Sequence, residues 1–70
     1  MEIELKTYRR LDDGTLVPLR RGMLREDYSL ETAQNMAKAA LASHALVARA
    51  EVINLADGSI LFSCEHDEYA

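Results

Sequence analysis

Three side chains in this sequence have the chemistry to act as nucleophile, base or metal ligand: Cys64, His66 and His44. Cys64 and His66 stand two positions apart, which on a β-strand places them on one side. A thiol beside an imidazole is the pairing that activates a cysteine nucleophile. With His44 the same groups offer three donors to a transition metal. The spacing matches no standard zinc pattern, and a closed tetrahedral site needs a fourth ligand. Each residue also has a plainer use. Cys64 suits a small buried apolar position, and His44 suits a helix C-terminus, where it favours the dipole. Gly14, Gly22 and Gly58 are isolated, so the sequence has no glycine-rich phosphate loop. The expectation is a non-enzymatic chain with no catalytic residue, no metal and no cofactor.

Charge is the second source of chemistry. The 70 residues carry a formal net charge of -4. Residues 1–25 hold six cations against four carboxylates, a net +2, whereas residues 26–70 hold two against eight, a net -6. Arg9, Arg10, Arg20, Arg21 and Arg25 form a candidate basic patch on the first part of the chain. Such a patch can face an anion, either a nucleic-acid backbone or an acidic protein. It can equally be solvated charge that protects a sheet edge. The acidic total favours the second reading, because nucleic-acid domains are usually basic overall.

These side chains need elements to hold them. Ser29 is a good N-cap, with Glu26, Asp27 and Glu31 near the positive end of the helix dipole. Leu30, Ala33, Met36, Ala37, Ala40 and Leu41 then repeat at helical spacing, which predicts a helix over about 30–43 with a small-sided buried stripe. Two hairpins flank it, over about 2–20 and 46–66, with 21–28 as a connector. Asp12-Asp13-Gly14 and Asp57-Gly58 supply the turns. The second hairpin has two possible registers, one with a two-residue Asp57-Gly58 turn; the preferred one places Gly58 in a left-handed bulge and pairs Val52 with Phe62, Ala50 with Cys64, Glu51 with Ser63 and Arg49 with Glu65. In the first, Ile3, Leu5, Thr7 and Leu11 share one side. Arg9 interrupts that side and is expected to snorkel at the rim. Pro18 lacks an amide proton, so its strand is expected to lie at an edge or be short. The fold class is therefore α+β: β-β-α-β-β, an antiparallel sheet of about four strands with one helix packed on one face, in a single small domain over 1–70.

One helix covers one face of a sheet. On the preferred register Leu46, Ala48, Ala50, Val52, Phe62 and Cys64 lie under the helix. The opposite face carries Val47, Arg49, Glu51, Ile53, Leu55 and Leu61, the candidate partner-binding residues. A chain this short gains only about 3–5 kcal/mol from one core, so burial against a partner is a credible source of further stability. The single cysteine and the N-terminus, which is not signal-like, point to a reducing, cytoplasmic compartment. No apolar run reaches the ~20 residues of a membrane span.

The capped, alanine-rich segment Ser29–Ser43, the strand from Leu46 to Leu55 and the Asp57-Gly58-Ser59 turn resemble the very small β-hairpin–helix–β-hairpin proteins of phages and mobile elements, among them anti-CRISPR inhibitors. The resemblance covers about the last 40 residues and transfers no functional residue. It implies stoichiometric binding to a CRISPR effector complex. The leading expectation is such a protein-binding module. The alternative is a nucleic-acid-binding or regulatory module that uses the basic first hairpin. Homodimerisation through the apolar sheet face is a third.

Overall fold

The computed structural model describes residues 2–24 and 28–66. The elements are β1 (Ile3–Arg10), β2 (Leu16–Met23), α1 (Leu30–Ser43), β3 (Arg49–Asn54) and β4 (Ile60–Glu65). The four strands form one antiparallel sheet in the order β2-β1-β3-β4. Placing β1 beside β3 joins the two hairpins, so β2 and β4 become the edges. Pro18 lies on edge strand β2, where a missing amide proton is tolerated.

Local chemistry accounts for each element. The Ser29 hydroxyl accepts from the Thr32 amide at 3.1 Å and caps α1. At the other end the His44 amide donates to Ala40 O at 3.2 Å. Both turns close on an aspartate. Asp13 Oδ1 accepts from the Thr15 amide, and Asp57 Oδ1 from the Ser59 amide, each at 2.9 Å. The glycine after each aspartate has positive φ, 90° at Gly14 and 76° at Gly58, which a residue with a Cβ seldom adopts.

The core lies between α1 and the sheet. Ile3, Ala33, Ala37, Ala50 and Val52 form its buried cluster, with Leu5, Leu24, Leu61, Phe62 and Cys64 half-buried around it. Among the described residues, Ile3 and Val52 are the largest fully buried side chains. Ala33 and Ala37 let the helix backbone approach closely, and the cost is a thin core.

Two boundaries and the place of one bulge differ from the sequence reading. β2 runs to Met23, so residues 21–23 of the expected connector are strand. They pair with Glu4, Leu5 and Lys6 of β1; an edge strand has one partner and needs no clean apolar alternation. β3 begins at Arg49, because Ala45-Leu46 is a turn held by Val47 N donating to His44 O at 3.0 Å. In the second hairpin the expected pairs Val52–Phe62, Ala50–Cys64, Glu51–Ser63 and Arg49–Glu65 all form. The extra residue, however, is absorbed between Ile60 and Phe62, since Ile53 pairs with Ile60.

Candidate functional site

The face of the sheet away from α1 is an ionic lattice. Tyr8 donates to Glu51 Oε1 at 2.7 Å, and Arg49 Nε donates to Glu51 Oε2 at 3.0 Å. Glu65 receives Arg10 at 3.3 Å and Arg49 at 3.8 Å, so it ties β1, β3 and β4 together. Arg21 grips Glu4 with two bonds of 3.0 and 3.1 Å, which raises the Arg21 pKa further through the Glu4 hydrogen bond and charge. Lys6 sits 5.1 Å from the centre of the Tyr8 ring. Glu51 is buried yet has two donors, which a buried carboxylate requires.

This lattice corrects the expected partner-binding face. Val47 is buried, not exposed. It precedes β3 and lines the helix side of the sheet, because the turn at Ala45-Leu46 breaks the strand alternation that placed it outside. Leu46 changes the other way: expected under the helix, it is 66% exposed. Leu61 packs against the core cluster, because the bulge turns it inward. Arg49 and Glu51 do lie on the open face, but are bonded to each other. Ile53 pairs with Glu4 on that face and is half-buried, and Leu55 is half-buried in the turn after β3.

The basic patch divides as well. Arg10 and Arg21 belong to the open-face lattice. Arg9 and Arg20 lie on the helix side, in line with Thr7, which is buried on that side and pairs with Arg20. Arg9 is exposed. Arg25 is outside the described residues.

A groove opens where α1 stops short of the sheet edge. The helix packs on β3 and β4, touches β1, and leaves β2 outside its main contacts. The space of about 640 Å³ between them is lined by Leu5, Thr7, Leu19, Arg20 and Met23 from the hairpin side and by Ala40, His44, Leu46 and Val47 from the helix side. Leu19 and Leu46, on its two sides, are 40% and 66% exposed, whereas Met23, 69% exposed, pairs with Glu4 and so faces the open side of the sheet. Sequence reasoning missed this groove. A signal existed in Leu46, an apolar residue directly after the helix.

The three chemical candidates do not converge. Cys64 is half-buried on the helix side, and burial pushes its thiol pKa up, away from the thiolate. His66 Nε2 lies 2.8 Å from Leu41 O, so its ring donates to the end of α1. His44 is the C-cap of α1. Among the described residues no three His, Cys, Asp or Glu side chains come together to hold a metal, and no helix is long and apolar enough to cross a membrane.

Comparison with protein-family models, with curated proteins and with solved structures finds no match to the chain.

Proposed function

We propose that the chain is a non-enzymatic protein-binding module that acts stoichiometrically, with its contact surface at the groove between α1 and β2. The observation that supports this reading is the pair Leu19 and Leu46, apolar and exposed on the two sides of one concave space. The resemblance to anti-CRISPR inhibitors suggests the partner class: a CRISPR effector complex in a phage-infected bacterial cell, bound in the cytoplasm. The alternative of direct nucleic-acid binding has weaker support, because Arg10 and Arg21 are neutralised by Glu65 and Glu4.

The test is phage plating on a CRISPR-immune host that expresses the chain. Plating is expected to recover, and the effector complex to be titrated at a near one-to-one ratio. Leu19→Asp and Leu46→Asp are expected to abolish recovery, whereas Ser63→Asp, exposed on β4, leaves it intact. Inhibition at a ratio far below one chain per complex contradicts the stoichiometric reading. Equal activity of all three variants contradicts the groove.

A further inference from the structure

The two edges of the sheet are unlike. β2 carries Pro18, which has no amide proton, a bulge at Leu19, and the exposed Arg20 and Arg21. Each of these keeps a further strand off an edge. β4 has neither proline nor lysine, and its one charged residue is Glu65. That carboxylate is compensated within the chain by Arg10 and Arg49, so it offers an incoming strand little repulsion. The bulge at Leu61 leaves β4 regular from Phe62 onward.

The hydrogen-bond pattern of this regular stretch is fixed. The His66 amide donates to Ala48 O at 2.9 Å, in the same register as Ala50–Cys64 and Val52–Phe62. Successive residues of an antiparallel strand turn their backbone groups to opposite sides. Phe62, Cys64 and His66 therefore bond to β3, and Ser63 and Glu65 turn N–H and C=O outward. Two outward residues in this spacing are self-complementary. When β4 pairs antiparallel with a second β4, each Ser63 exchanges both backbone bonds with the other copy's Glu65, about a two-fold axis at Cys64. A register centred one residue earlier has to use Leu61, whose backbone the bulge puts out of step.

The helical layer fits the same axis. α1 packs on β3 and β4, so the axis sets the two helices on one face, two to three strand spacings or about 10–14 Å apart. Lys38 stands over Phe62 at 5.7 Å, and in this register the two Phe62 residues lie about 13 Å apart along the strands, which keeps the like charges separate. A lone foreign strand gains the backbone bonds only, whereas a second copy also continues the helical layer.

We infer that β4 is a self-association edge, on which a second copy of the chain pairs antiparallel and joins the two sheets into one. The groove lies at the opposite edge, beside β2, and stays open in each copy. The inference is thus independent of the proposed function, and its failure leaves that reading untouched.

Sedimentation and amide hydrogen exchange of the folded chain, from micromolar to millimolar concentration, test it. The mass is expected to rise from one copy to two. The Ser63 and Glu65 amides, open to water in the single copy, are expected to gain protection in step with it. Ser63→Pro removes a donor from the edge and no bond within the chain, so it keeps the amide dispersion of the parent. It is expected to weaken association about thirtyfold, for the one donor lost from each copy. The two Cys64 residues form a non-hydrogen-bonded pair with Cα atoms about 4.5 Å apart, a spacing that a disulfide can bridge. Diamide, which takes up the two thiol hydrogens as the sulfurs join, is expected to link parent copies faster than Ser63→Pro copies. A chain that remains a single copy at millimolar concentration overturns the inference. A dimer in which residues 16–23 gain protection while Ser63 and Glu65 stay open overturns the choice of edge. Equal rates of linkage in parent and variant overturn the register. Should Ser63→Pro not fold, concentration-independent exchange of Ser63 and Glu65 in the parent is enough to refute the pairing.

Discussion

Glu51 is the residue under the strictest demand, because a carboxylate 6% exposed must be fully bonded or neutral. Tyr8 and Arg49 meet that demand from β1 and from its own strand. Tyr8→Phe keeps the ring and removes one donor to a charged acceptor. It is expected to lower stability by about 2 kcal/mol, as measured by urea unfolding. The turn aspartates make a different contribution. The Thr15 amide holds the Asp13 carboxyl below its usual range, and the Ser59 hydroxyl and amide do the same for Asp57. A carboxyl whose folded pKa is depressed takes up its proton less readily in the fold than in the unfolded chain. Its stabilising contribution is thus present above the unfolded value of about 3.9 and is lost as pH falls through the lower folded value. The double variant Asp13→Asn, Asp57→Asn keeps the side-chain acceptors and removes the titration. Its melting temperature is expected to fall less than the parent's between about pH 5 and pH 2, in paired thermal scans.

At the scale of elements, α1 depends on a cap and on smallness. Ser29→Ala removes the acceptor for the Thr32 amide and is expected to cost about 1 kcal/mol, with the loss seen first in exchange protection of the first helical turn. Ala37 is fully buried against the sheet. Ala37→Leu has no space to enter and forces the helix away from β3, at a cost of about 1–3 kcal/mol, readable as a fall in the urea midpoint. The hairpins show how much of an element is legible in residues. The Asp-Gly turns and the pairing of Arg49 through Val52 follow from local chemistry and charge placement. The bulge at Leu61 does not, because a strand can absorb an extra residue at several positions and the choice depends on packing beneath it. The same limit applies to β2. Its extension to Met23 is set by the length of β1 beside it, not by the pattern of Arg20, Arg21 and Gly22.

For the whole molecule, the buried apolar side chains among the described residues are Ile3, Val47, Val52 and three alanines, a small core. The free chain is expected to be stable by no more than about 5 kcal/mol. A partner seated in the groove at a hundred times its dissociation constant is expected to add about 2.7 kcal/mol, measured as the gain in unfolding free energy between free and saturated protein. The sequence by itself determined the class and order of the elements, the capped helix, the two glycine turns and the division of charge between the first 25 residues and the rest. These depend on neighbours a few positions away, and backbone geometry dictates them locally. Only the tertiary structure decided which surface is open. That choice turned on the β1–β3 pairing, on where the helix rests across four strands, and on one turn at Ala45-Leu46 that exchanges the faces of Leu46 and Val47. A strand has period two, so a single residue of turn or bulge inverts every side chain beyond it, and no local pattern in the chain records that step.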